Sequence, residues 1–259
     1  MRHSSARRDG RGDLSSATAL HWLLIGNSRW HWGLRQGDQS LAGWSESPQE
    51  GEARLKAIPP DQLVAWAAVG PVPEPLGARL PSPRRLTTAH VPLGDAPPWL
   101  GVDRALAGWG AWRRSGGRPV LVADAGTALS LTRVDGGGRF AGGRLLAGAG
   151  LQLRALGQGT AGLPTLAADA LAAGMEGDGW PAATEQAMAV GVAKGLAAVL
   201  VAAAHELRDP EGHGPQLWLT GGDGPLLGSL LNEKGGQPWR LAPLLVLEAL
   251  TELRPGPGL

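Results

Sequence analysis

"RPVLVADAGTALSLTRVDGGGRFAGG", residues 118–143, decides the fold. An apolar run from Val120 to Ala123 breaks at Asp124-Ala125-Gly126-Thr127 and resumes from Ala128 to Val134. Asp135-Gly136 then signals a hairpin turn, and Arg139-Phe140 starts the return strand. A hundred residues earlier "LLIGNSRWHWGL", Leu23 to Leu34, repeats the pattern. Its apolar run stops at Gly26-Asn27-Ser28, and Trp30, Trp32 and Leu34 then alternate with Arg29, His31 and Gly33 as a second strand. Placing Gly26 on Gly126 sets Leu24 on Asp124 and Asn27 on Thr127. Glycine lets the backbone come close to a ligand, and neighbouring amides and a Ser or Thr hydroxyl can bond phosphate oxygens. Either turn alone reads first as an ordinary hairpin. The pair reads as two related domains gripping one nucleotide from opposite sides.

Composition narrows the classes. The 259 residues can bury a sizeable core as one large domain or two small ones. A net charge of +1 gives no reason to expect nucleic acid or a membrane surface as partner. No cysteine is present, which excludes disulfides, zinc-thiolate sites and thiol nucleophiles and fits a cytoplasmic address. None of the six histidines has metal-ligand spacing. Residues 1–19 are basic and polar with no apolar centre, so they read as a flexible tail rather than a secretory signal. The most apolar long stretch, Gln186 to Ala204, carries Lys194 at its middle and reads as a buried helix rather than a membrane span.

The remaining elements alternate strand and helix. Leu100 to Arg114 has helical spacing through Val102, Leu106, Trp109 and Trp112, and residues 113–117 close it and link the halves. Residues 144–164 read as a loop and a short helix, Ala182 to Leu207 as a long helix, and residues 215–231 as strand, Gly-Gly turn and helix. Trp30, Trp32, Trp109 and Trp112 fall at core spacing. The expected fold is α/β: two actin-like (ribonuclease H-like) domains, 20–117 and 118–259, with mixed sheets and the nucleotide in the cleft between them.

Six segments, in order, carry a resemblance: "GNSRWHW", "LGVDRALA", "DAGTALSLTRVD", "FAGGRLLAGAGLQLRAL", "TEQAMAVG" and "LTGGDGPLL". Together they resemble the type III pantothenate kinases of the acetate-kinase, sugar-kinase, Hsp70 and actin superfamily. The resemblance implies transfer of the γ-phosphoryl group of ATP to the primary hydroxyl of pantothenate, the entry to coenzyme A. It also implies magnesium, a monovalent cation (K⁺ or NH₄⁺) and a homodimer. Other readings of the fold are a kinase for another small hydroxylated metabolite and a nucleotide-binding transcription accessory protein.

The resemblance assigns roles residue by residue. Asp103, which alone reads first as a helix-start aspartate meeting free amides, becomes the catalytic base. Gly101, Val102 and Arg104 flank the substrate, and the planar fork of Arg104 suits a carboxylate or a phosphate. Asp124 binds the monovalent ion, as an anionic oxygen suits a hard cation. Gly26, Asn27, Ser28, Arg29, Gly126 and Thr127 hold ATP. Thr184, which alone reads as an N-cap, contacts pantothenate. The chain departs from the family where Leu24 replaces the aspartate that opens the first turn, where Ala183 replaces an asparagine and where Ala147 replaces a proline. With no tyrosine in the chain, Trp99 is the candidate to line the substrate pocket.

Overall fold

Trp22, Leu23, Leu24 and Ile25 are all buried, because their strand is flanked on both edges and covered on both faces. The computed structural model describes residues 18–167, 170–173, 179–232 and 238–254. The expectation for the basic tail concerns mostly residues 1–17, which lie outside the described residues; Ala19, placed in that tail, instead opens the first strand. Strand β1 (Ala19–Ile25) pairs antiparallel with β2 (Trp30–Gln36), and β2 with β3 (Ala42–Glu46). Helix α1 (Pro48–Ala57) then carries the chain to β4 (Leu63–Ala68), which lies parallel to β1. Helix α1 starts where it does because Ser47 and Glu50 form a reciprocal capping box ahead of Pro48 in the first turn.

The second half repeats this plan after helix α2 (Val102–Arg114). Strands β5 (Val120–Ala125), β6 (Ala128–Val134) and β7 (Phe140–Ala147) form an antiparallel meander. Helices α3 (Ala149–Gly159), α4 (Ala170–Ala173) and α5 (Thr184–Glu206) lead to β8 (Gln216–Thr220), parallel to β5. Helix α6 (Gly224–Asn232), edge strand β9 (Arg240–Leu241) and helix α7 (Leu245–Glu252) complete the chain. The sheet orders, β3-β2-β1-β4 and β7-β6-β5-β8-β9, are the same arrangement with one added edge strand.

Three apolar clusters give the layers. Helix α1 covers one face of the first sheet over Leu23, Ile25, Trp30, Trp32 and Trp66. Helices α2 and α7 lie between the sheets, touching Trp22 and Leu24 on one side and Val120 and Val122 on the other. Helices α3, α5 and α6 cover the far face of the second sheet. Arg114 pairs with Glu248 at 3.1 Å and Arg113 with Glu252, tying α2 to α7. The last helix thus returns to the first sheet. Helix α5 is apolar and long enough to cross a membrane by length and composition, yet it buries Met188, Val192, Leu196 and Leu200 against the second sheet.

Several expectations shift. Residues Arg144–Ala147, expected as loop, are the second half of β7, held by pairing to β6 although Leu145 and Arg144 face solvent. The hairpin after β6 turns at Asp135 as expected and its return strand starts at Phe140, one residue later than expected; the Asp135 carboxylate accepts from the amides of Gly137 and Arg139 at 2.9 Å each. Helix α1 was not signalled: it buries only Gly51 and Leu55, so its apolar stripe is too thin to show periodicity.

Candidate active site

Both glycine turns lie at the carboxyl ends of the central strands of their sheets. In the first, the Gly26 amide donates to the Arg29 carbonyl at 3.0 Å; in the second, the Gly126 amide donates to the Ala128 carbonyl at 3.1 Å. The first turn spans residues 26–29 and the second only 126–127, so the two match up to the glycine and diverge after it. They meet across the two halves, where the Thr127 hydroxyl donates to Ser28 Oγ at 2.9 Å. Close backbone approach shapes both. A Cβ on Gly70, at the end of β4, would stand 2.2 Å from the Gly26 carbonyl oxygen. Gly221 has φ +88°, and a Cβ there would stand 2.4 Å from the Ala125 carbonyl oxygen. No heavy atom lies within 4 Å of a Cβ built on Gly222, so the face beyond that turn is open.

Two carboxylates, close enough to act on each other, belong to this region, Asp124 with its Oδ1 4.0 Å from where a Cβ on Gly126 would stand. Asp103 is the second residue of α2, and its Oδ1 accepts from the Arg104 amide at 2.7 Å. Burial pushes its carboxyl above the ordinary range, more than the Arg104 guanidinium and amide pull it down. Asp124, near the end of β5, is pushed up to about 7, first by burial and then by the neighbouring Asp103 charge. Among the described residues no cationic side chain pairs with Asp124. Asp223, beside the Gly221 turn, is also raised by burial, and its amide donates to the Ala125 carbonyl at 2.9 Å. Among the described residues, no three His, Asp or Glu side chains gather as a metal cage.

Arg104 is anchored to the second sheet. Its Nε donates to Thr132 Oγ1 at 3.2 Å and its Nη2 to the Leu131 carbonyl at 3.3 Å, with the guanidinium 5.9 Å from the Phe140 ring centre. Two of its five N–H donors are thereby used, leaving three for a ligand. Thr184 is the first residue of α5 and is exposed; the cap position is Ala183, with no side-chain cap bond, which corrects the N-cap reading of Thr184. Gly101 is the actual cap position of α2, and Val102 is buried in the middle layer. Trp99, two residues before Gly101, is 74% exposed.

A family model for type III pantothenate kinase matches residues 85–206. The type III pantothenate kinase of Synechococcus elongatus is 40% identical over 247 residues, covering 89% of this chain and 94% of that protein. That of Thermosynechococcus vestitus is 39% identical over 210 residues, covering 81% and 79%. This chain belongs to the type III pantothenate kinase family. Two solved structures share the fold: a protein described as a Baf family transcriptional activator from Campylobacter jejuni (TM-score 0.58, 19% identity, covering 90% of this chain and 96% of that one), and component A of the (R)-2-hydroxyglutaryl-CoA dehydratase of Acidaminococcus fermentans (TM-score 0.54, 12% identity, covering 92% and 97%).

The two glycine turns sit on two copies of one sheet plan, as the sequence repeat implied. Gly26, Asn27, Ser28, Gly126 and Thr127 lie together at the junction of the halves, with Asp103 and Asp124 beside each other. Arg29 donates from its Nη2 to the Ser45 carbonyl at 2.8 Å, which holds its guanidinium along β3. Sequence reasoning missed Asp223 and Gly70. Asp223 directly follows the Gly221-Gly222 pair, a signal that could have found it.

Proposed function

We propose that the chain transfers the γ-phosphoryl group of ATP to the primary hydroxyl of pantothenate, the first step of coenzyme A biosynthesis. The observation that carries this reading is the junction of the two glycine turns through Thr127 and Ser28, with Asp124 beside the second turn and the Asp103 charge close enough to Asp124 to act on it. In that space, the amides and hydroxyls of Gly26, Asn27, Ser28, Gly126 and Thr127 bind the nucleotide, with Arg29 at the rim. Magnesium would be held mainly by the ATP phosphates and its own waters, since Leu24 offers it no ligand at the end of β1, and it would there neutralise phosphate charge.

Asp103 accepts the proton of the attacking hydroxyl. Burial raises its basicity towards neutral pH, the direction that general-base work requires. Gly101, Val102, the free donors of Arg104 and exposed Thr184 bind pantothenate, with Trp99 closing the pocket. Asp124 would hold K⁺ or NH₄⁺, whose charge would relieve the repulsion with Asp103. Two domains, 20–117 and 118–259, flank the cleft, with α7 returned to the first. The chain forms a homodimer, for which exposed Leu145, Leu151 and Val201 offer apolar surface. The cytoplasm is its place of work.

The test is product analysis. Purified protein with ATP, magnesium, potassium and pantothenate should yield phosphopantothenate by mass spectrometry. A panel of other small hydroxylated metabolites should yield far less. Phosphorylation of another member of the panel, with none of pantothenate, would overturn the substrate assignment.

A further inference from the structure

Arg104 belongs to α2, yet its side chain is held by the second sheet. Thr132 on β6 and Gly143 on β7 are direct cross-strand partners. Partners in an antiparallel pair share one face of the sheet. Thr132 Oγ1 accepts from Arg104 Nε at 3.2 Å, and the Leu131 carbonyl accepts from its Nη2 at 3.3 Å. A Cβ on Gly143 would run into that same Nη2. The guanidinium therefore lies over the Thr132–Gly143 pair, in a slot that exists because position 143 carries no side chain. The Phe140 ring, its centre 5.9 Å from the guanidinium carbon, bounds the slot on β7.

Thr132 is itself fixed. It is 1% exposed, and its methyl packs on α2: a Cβ on Gly108, one turn after Arg104, would stand 3.3 Å from Thr132 Cγ2. A β-branched side chain has few choices at χ1, so the packed methyl also sets the hydroxyl. One residue thus meets the same helix twice, with its methyl at Gly108 and its hydroxyl at Arg104. An arginine side chain otherwise carries much rotamer freedom. Holding its planar fork in advance removes that loss from ligand binding.

We propose that Thr132 is a positioning residue for the substrate: with Gly143 opposite it, Thr132 seats the Arg104 guanidinium so that the three remaining N–H donors keep one orientation toward pantothenate. This rests on the reading that Arg104 binds pantothenate. Thr132 acts through Arg104 and touches neither substrate itself. Its loss should therefore weaken the hold on pantothenate and leave the nucleotide alone. A hydrogen bond to a charged group is worth about 10-fold in an equilibrium constant.

The experiment measures steady-state kinetics, with pantothenate and Mg-ATP varied separately, for wild type, Thr132→Val and Thr132→Ser. The Arg104 Nε–H signal of the substrate-free proteins is followed by ¹H–¹⁵N NMR. Thr132→Val keeps the shape and removes the acceptor. It should raise the KM for pantothenate about 10-fold and leave that for Mg-ATP within twofold. Thr132→Ser keeps the acceptor and should recover most of the loss. The Nε–H proton should exchange slowly in wild type and Thr132→Ser and rapidly in Thr132→Val. A pantothenate KM within twofold of wild type in Thr132→Val overturns the proposal. So does an equal rise in both KM values, a serine variant no better than valine, or an Nε–H signal that Thr132→Val leaves unchanged. A wild type that phosphorylates another hydroxylated metabolite in place of pantothenate overturns the proposed function. The same pattern of KM values with that metabolite would uphold the seat, and its absence would overturn the seat as well.

Discussion

Replacing Asp124 by asparagine should stabilise the ligand-free protein, and increasingly so as pH rises. The carboxyl titrates at about 7 in the fold against 3.8 ordinarily, because it is buried and faces Asp103. Below pH 4 it is protonated in folded and unfolded chains alike and makes no difference. Between these values the unfolded chain releases a proton that the folded chain keeps, so folding is progressively disfavoured as pH rises. Above 7 the full penalty stands. About three units at 1.36 kcal/mol each gives at most about 4 kcal/mol. The amide has the same shape and no titration. Urea unfolding followed by tryptophan fluorescence, in buffer free of magnesium and potassium, should show the variant ahead by about 1.5 kcal/mol at pH 5 and about 4 kcal/mol at pH 8. Saturating potassium should shrink the gap by stabilising the wild type alone. A gap that stays flat from pH 5 to 8, or a variant less stable throughout, would refute the argument that this carboxylate is buried without a cation.

Gly221→Ala forces a side chain into the Ala125 backbone at a positive φ and should lower stability by several kcal/mol, on the order of 3, whereas Gly222→Ala points into open space and should leave the unfolding midpoint within about 0.5 kcal/mol. Thr127→Val removes the bond to Ser28 at a solvent-exposed position and should change stability by less than about 1 kcal/mol while raising the KM for Mg-ATP several-fold; a larger stability loss with unchanged KM would make the contact purely structural. Turnover in sodium alone should fall well below that in potassium, and equal rates in both would remove the monovalent ion from Asp124.

The two-sheet plan was legible because a buried strand must end somewhere, and both copies end in the same glycine-turn-strand signal. The central helix was legible through Val102, Leu106 and Trp109, all of which are buried. Helix α1 and edge strand β3 were not, since each buries too few residues to leave a period in the sequence. Helix α7 is apolar enough, but nothing local says that it crosses back to the first sheet; that contact joins residues more than two hundred positions apart. At the site, the residues within motifs were legible. Gly70 was not, because its close approach to the Gly26 carbonyl is a tertiary contact with no motif around it. Arg104 was expected as a free ligand for substrate, and its anchoring to Thr132 and Leu131 is a tertiary fact.

The central claim is that Asp103 takes the proton of the attacking hydroxyl, and the direct measurement is pantothenate-dependent turnover of Mg-ATP by Asp103→Asn beside wild type, with Mg-AMPPNP affinity measured in parallel. The amide keeps the shape and the bond from the Arg104 amide to Oδ1 but cannot accept the proton. The account predicts kcat lower by about 10²–10⁴-fold with nucleotide affinity nearly unchanged. A variant within about threefold of wild type would contradict it.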